Sequence, residues 1–238
     1  MRLGFLFPPC GGEDELYNHG EAMGEDVRVL LMGTRIFGDE DEHAPAHLSR
    51  TGALDHLAIH ADVMARMKPD AVIWACTSGS FIDGLDHAKA QAATIAEITG
   101  CPASSTSLAF VAALAHLSIG KVALLASYPE PAARAFETFL GECGVEVIDV
   151  AWLSAASGPA AARLGQDRLM AEARALDVPD DAAILIPDTA MPSMHLIAPL
   201  EAELGRAVLT SNQVSLWEAA RLAEGECARP GIGRLFSK

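Results

Sequence analysis

Apolar residues in this chain come in short runs, among them RLGFLF, VRVLLM, AVIWAC, KVALLAS, VEVIDV, AAILIP and AVLT, separated by longer stretches whose apolar residues recur three and four apart. Short unbroken runs mark strands covered on both faces, and the wider spacing marks the helices that cover them. This pattern predicts strands near 2–7, 27–32, 71–76, 102–105, 121–127, 145–150, 182–187 and 207–210. GALDHLAIHADVMARM reads as a helix begun near Thr51 and stopped before Pro69. PEPAARAFETFLGECG is a second, with proline in its first turn and Gly144 just past its end; DRLMAEARALD and NQVSLWEAARLAEGE are two more. Strand and helix alternate throughout, which predicts an α/β protein with parallel sheets and crossover helices.

The chain also matches itself at offsets of roughly 105 residues, in the same order. RLGFLFPP pairs with KVALLASYP, DAVIWACT with DAAILIPDT, and GCPASSTS with GRAVLTSN. Two pseudosymmetric Rossmann-like lobes follow, residues 1–116 and 117–211, with a final helix over 212–225 that crosses back onto the first. Open parallel sheets bind ligands at the carboxyl ends of their strands. Cys76 and Asp188 fall at matching strand ends, so lobes that face one another bring a thiol and a carboxyl into one cleft.

Composition narrows the partners. At 238 residues and 50% hydrophobic content, the chain can bury a substantial core. A formal charge of −15, from 32 acidic and 17 basic residues, repels nucleic acid and anionic membranes. The tail ARPGIGRLFSK is too small a basic patch to alter that. No apolar run reaches the roughly 18 residues of a membrane span. MRLGFLFPPCGGEDE lacks the cleavage site of a secretory signal, and it reads as the first strand. Cys10, Cys76, Cys101, Cys143 and Cys227 are odd in number and scattered, which suits a reducing compartment; the expected location is the cytoplasm. His43, His47, His56 and His60 crowd one segment, and His56 and His60 are four apart. A solvated helix face explains that spacing better than a metal site, and no metal is expected. Ala-rich helices such as FVAALAHL pack between subunits as readily as within one, so a homo-oligomer is compatible with the sequence.

The chemistry gathers in AVIWACTSGSF. A cysteine at a strand end, followed by Thr77, Ser78, Gly79 and Ser80, meets N–H and hydroxyl donors that favour its thiolate and lower its pKa. The same donors suit a substrate carboxylate or an enolate. The alternative is a cysteine that merely packs in an apolar pocket.

ACTSGSF, PASSTS, ASYPEPAARAFETFL and LEAELGRAVLTSNQVSLWEAARLA together resemble the aspartate/glutamate racemase superfamily, in its branch of maleate cis-trans isomerases and arylmalonate decarboxylases. The resemblance spans nearly the whole chain. It implies an interlobe active site that works without metal or organic cofactor on a small carboxylate. In the isomerase pattern, the cysteine matching Cys76 is a nucleophile that adds to a double bond, and a second cysteine handles the proton. Here IPDTAMPS puts Asp188 at that second position. An aspartate begins ionised, with a pKa of about 3.9, and needs desolvation to act as an acid. The decarboxylase pattern also uses one cysteine, on the opposite lobe. Tyr128, Thr77, Ser78, Thr189 and Asn212 match a carboxylate cradle. The turn FPPCGG, with Pro9, Cys10 and Gly11, is closer to the decarboxylase version, and Cys10 either lines the cleft or has a bland role. Tyr128 has a helix cap as its alternative reading, and Arg35 is either the one cation near an anionic substrate or a surface residue.

The function expected is therefore an isomerase acting on a maleate-like dicarboxylate, with Cys76 as nucleophile and Asp188 as proton-transfer partner. Decarboxylation of a substituted malonate and amino-acid racemisation are the enzymatic alternatives. An intracellular two-lobed carboxylate-binding protein is the non-enzymatic one.

Overall fold

The computed structural model describes residues 1–225 and 231–237. Cys227 and the start of the basic tail lie outside the described residues, and the final helix, expected to reach 225, ends at Leu222. The first half of the chain runs β1 (Arg2–Phe7), α1 (Glu13–Glu21), β2 (Arg28–Gly33), α2 (Pro45–Thr51), α3 (Leu54–Ala65), β3 (Ala71–Trp74), α4 (Thr77–Phe81), α5 (Gly84–Thr99), β4 (Ala103–Ser105) and α6 (Thr106–Leu117). The second half runs β5 (Lys121–Ala126), α7 (Glu130–Glu142), β6 (Glu146–Trp152), α8 (Gly158–Ala162), α9 (Gln166–Ala175), β7 (Ala182–Ile186), α10 (Met194–Leu204), β8 (Val208–Thr210) and α11 (Ser211–Leu222). A short 3-10 helix covers Arg234–Ser237.

Two four-stranded parallel sheets result, in the orders β2-β1-β3-β4 and β6-β5-β7-β8. The second sheet repeats the first strand for strand. Spacing between the halves is not constant: the matched strands start at Arg2 and Lys121, at Ala71 and Ala182, and at Ala103 and Val208. A single offset near 105 therefore holds only for the last pair. The second half reaches its third strand by a shorter path.

Burial follows strand position. β3 and β7 are buried along their whole length, and so are β1 and β5 after their first residue. Covering helices on both faces make their apolar runs continuous. The edge strands β2 and β6 are mostly half-buried. Faces still alternate: Ile73 belongs to the large core that runs through both lobes, while Val72 and Trp74 join a smaller cluster with Leu57, Met64 and Ile95 beneath α3 and α5.

The helix predicted to start near Thr51 is two. Gly52 separates α2 from α3, and a Cβ there would lie 2.2 Å from the Gly79 carbonyl oxygen. Glycine is needed for that approach, and the approach presses the α2–α3 corner onto α4, whose N-terminus Cys76 caps. α7 runs as predicted, with Gly144 at φ +77 beyond its end.

α11 is buried on all sides over Ser211–Ala220 although it carries five polar residues. Each has a partner: Ser211 bonds to Thr77, Asn212 to Glu15, Gln213 to the Ile232 carbonyl, Ser215 to Thr106 and Glu218 to Arg221. The large majority of buried polar groups are satisfied in this way. The helix follows β8 in the second sheet yet packs on α6, β3 and β4 of the first half. It thereby ties the two sheets together beneath their carboxyl ends.

Candidate active site

Cys76 lies two residues beyond β3 and Asp188 two beyond β7, the strands that occupy equivalent positions in the two sheets. Both line one cavity between the lobes. Its walls come from the β1–α1 turn (Pro8, Cys10), the segment after β2 (Ile36, Glu42, His43, and Leu48 and Thr51 of α2), Cys76 with Ser78, Gly158, and Asp188 to Ala190. No lysine or arginine is among these described wall residues.

Cys76 caps the N-terminus of α4, and its Sγ accepts the Gly79 N–H at 3.4 Å. That bond, with the Ser78 side chain, favours the thiolate as the sequence suggested. Burial outweighs both, and with the Asp188 carboxyl adding to it the thiol is pushed up to about 12. The expected lowering is thus reversed. The donors are present, but the site is too dry for them to win, and Cys76 rests as a protonated thiol.

Asp188 is buried at φ +122, a backbone conformation that side chains rarely adopt. Three hydrogen bonds hold it there. Ser127 Oγ donates to Oδ2 at 2.7 Å, the Ala190 N–H donates to Oδ1 at 3.0 Å, and its own N–H donates to Ser211 Oγ at 2.8 Å. Burial raises its pKa, and His43, Ser127 and the Ala190 N–H offset part of that rise. The desolvation that an acid role requires is therefore in place. Ser211 Oγ also meets Thr77 Oγ1 at 2.7 Å, so one hydroxyl links the first residue of α4 to the Asp188 backbone across the lobes.

The other predicted residues divide. Cys10, Ser78 and Thr189 line the cavity with Cys76 and Asp188. Cys10 Sγ–H donates to the Pro8 carbonyl at 2.9 Å, and burial pushes this thiol well up. Pro9 is exposed, and Pro8 forms the wall instead because the turn points alternate residues outward. Gly11, at φ +124, is exposed and does not line the cavity; a Cβ there would meet Ala162 and Ala190. Thr77 is spent on Ser211. Asn212 lies beneath the site, its amide donating to Glu15 Oε2 at 2.9 Å and to the Thr189 carbonyl at 3.1 Å. Those bonds consume its donors and fix the Thr189 backbone.

Tyr128 is fully buried, edge-on to His43 and Phe81 and beside the Thr77 side chain, and it is not among the residues that line the cavity. Burial and the Asp188 carboxyl hold the phenol well above its ordinary value, so it stays a donor. Arg35 is exposed, stacked 4.7 Å over the Phe37 ring, and is not part of the wall.

Three neighbours of Asp188 and the cavity were not singled out from sequence as site residues. His43 is buried, with Nε2 3.8 Å from Asp188 Oδ2 and Nδ1 2.8 Å from the Ala155 carbonyl oxygen. Glu42 lines the cavity and accepts the Gly158 N–H at 2.9 Å. Ser127 is the donor to Asp188. His43 is masked in the sequence by the crowd of nearby histidines; of these, His56 and His60 turn Nδ1 to the Thr51 and His56 carbonyls. Its one local signal is its place just before Pro45, which begins α2. Ser127 stands beside Tyr128 in ASYPE. Among the described residues, no cluster of three or more side chains could hold a metal ion.

Two parallel-stranded lobes that present a thiol and a carboxyl from equivalent strand ends to one cavity define an enzyme of the isomerase or decarboxylase kind. The chain belongs to the arylmalonate decarboxylase family, whose model matches residues 46–236. It is 29% identical over 239 residues to an arylmalonate decarboxylase of Bordetella bronchiseptica, covering 99% of this chain and 96% of that one. It is 28% identical over 179 residues to a maleate isomerase of Nocardia farcinica, covering 73% and 71% of the two chains. Its fold matches the crystal structure of a Pseudomonas putida maleate isomerase with maleate, at a TM-score of 0.90 and 19% identity, over 100% of this chain and 97% of that one. No helix among the described residues is long and apolar enough to cross a membrane.

Proposed function

We propose that the protein decarboxylates a small 2-substituted malonate, with Cys76 as the acid that protonates the α-carbon. The observation that carries this reading is the thiol itself, pushed up to about 12 by burial in a cavity it shares with Asp188. A group held in that form donates a proton; it is a poor resting nucleophile. In the reaction, the bond from the α-carbon to one carboxyl carbon breaks and CO2 leaves. The electron pair passes into the remaining carboxylate as an enediolate. Ser78 and Thr189 of the cavity wall are the donors for that carboxylate. The apolar wall of Pro8, Ile36 and Leu48 disfavours the charge of the departing carboxylate, which vanishes as CO2 forms. The Sγ–H proton then moves to the α-carbon, and Asp188 returns a proton from solvent to the thiolate.

The match along almost the full chain to an arylmalonate decarboxylase supports this order of preference over isomerisation. Isomerisation of a maleate-like alkene is the second reading. It is favoured by the Gly79 N–H and Ser78 contacts, which stabilise a thiolate once formed, and by the identity to a maleate isomerase. There Cys76 adds to the double bond and Asp188 exchanges the proton.

NMR in D2O with 2-substituted malonates, maleate and acidic amino acids tests both. The first reading expects CO2 release with one deuterium on the product α-carbon. Alkene isomerisation without CO2 would instead establish the second, and no change in any malonate or in maleate would refute both.

A further inference from the structure

The segment Asp41–Leu48 leaves the first sheet and docks on the second lobe. The His43 N–H donates to the Ala156 carbonyl at 2.9 Å, and Glu42 accepts the Gly158 N–H at 2.9 Å. Between those anchors the His43 ring is buried against Tyr128, their centroids 5.0 Å apart. The ring is therefore held by contacts that leave its orientation little freedom.

That orientation fixes a proton inventory. Nδ1 lies 2.8 Å from the Ala155 carbonyl oxygen, which only accepts, so Nδ1 carries a hydrogen. Nε2 is then the variable nitrogen, and it faces Asp188 Oδ2 at 3.8 Å. A neutral imidazole and an ionised carboxylate would set two lone pairs against each other on that edge. One proton, on either atom, removes the conflict. The other titratable or charged groups around the pair are Cys10 and Glu13 of the β1–α1 segment, Glu42 beside the ring, Cys76 at the start of α4 and Tyr128 after β5. None is a cation, so none can take over the role of His43.

We propose that His43 is a positioning residue for Asp188: with Nδ1–H fixed on Ala155, its Nε2 and Asp188 Oδ2 share one proton, and Asp188 exchanges that proton with the reacting thiol or substrate. In the balanced step the imidazolium gives its Nε2 proton to the carboxylate, leaving a neutral imidazole and a carboxylic acid. Solvent reprotonates the imidazole after turnover. At 3.8 Å the two atoms are within ion-pair range, and the transfer requires that separation to shorten to hydrogen-bond length. This rests on the proton-transfer role given to Asp188 above.

His43→Asn tests it, because the asparagine amide can still donate to Ala155 while Nε2 is lost. Two readouts separate this proposal from the reaction assignment. The first needs no substrate: carbon-13 carboxyl NMR of aspartate-labelled protein should show the Asp188 titration rising by about one pH unit or more in the variant, since a partner that favours its ionised form is gone. The second is kinetic, on whichever compound the NMR panel identifies. A loss of kcat of about tenfold or more is expected with KM within about threefold, together with a displaced acid limb of the pH profile. An unchanged Asp188 titration in a folded His43→Asn protein would overturn the proposal whether or not a substrate is known. Wild-type kcat and pH profile in that variant would overturn it too, reducing His43 to an anchor for the segment.

Discussion

At Cys76 two influences oppose each other within one residue. The Gly79 N–H and Ser78 pull the thiol toward its anion, while burial and Asp188 push the other way and prevail. The balance predicts a pH dependence. If the thiol is the working form, kcat shows no alkaline loss attributable to Cys76 from about pH 7 to about pH 10; a working thiolate would instead make kcat rise about tenfold per unit across that range. A steady-state pH profile decides between them. Asp188 predicts a stability effect of definite sign. Its folded-state pKa is raised by burial, so above the unfolded value of about 3.9 the native state keeps a proton that the unfolded chain releases. Stability therefore falls as pH rises through the folded-state value, and the cost is fully present above it. Asp188→Asn lacks this dependence, and its melting temperature relative to wild type should climb from about pH 4 to neutrality. A difference independent of pH would contradict the raised pKa.

Among the elements, α11 shows how little of a site its lining alone explains. Ser211 accepts from the Asp188 N–H and bonds to Thr77, so it holds the strained φ of Asp188 and the helix start beside Cys76. Ser211→Ala leaves a buried N–H and a buried hydroxyl without that partner. The expected cost is about 1–3 kcal/mol, measurable by denaturant unfolding, with a fall in kcat as Asp188 loses its setting. Unaltered stability and kcat would show the link to be incidental. The strands and the matched strand ends were legible in the sequence because apolar runs report burial on both faces directly. Asn212 was misleading for the opposite reason: a polar residue near a motif looks available for a ligand, while its real partners, Glu15 and the Thr189 carbonyl, are remote in the chain. His43 went unseen on the same grounds. Its meaning comes from Ala155 and Asp188, more than a hundred positions away, and no local spacing encodes them.

Across the whole molecule, the site exists only while the lobes stay in register. Gly12 marks a close approach between them, since a Cβ there would lie 1.9 Å from the Thr189 carbonyl oxygen and 2.9 Å from the Asn212 amide. Backbone cannot yield as a side-chain tip does. Gly12→Ala should therefore cost about 1–3 kcal/mol and displace the Asp188 loop, lowering kcat even at temperatures where the variant is fully folded. Thermal unfolding together with kcat checks both parts, and wild-type values for both would mean the lobes can part without consequence. The duplication carries the rest of the functional logic. Two copies of one strand-turn unit place their third strands equivalently, and the residues two steps beyond them, Cys76 and Asp188, reach one cavity without symmetric chemistry.

The most direct test of that convergence is turnover by Cys76→Ala and by Asp188→Asn, each on the carboxylate identified by NMR. The account predicts that each loses about a hundredfold or more in kcat while KM stays within a few fold, because both groups act on the bound substrate. Wild-type kcat in either variant would contradict it.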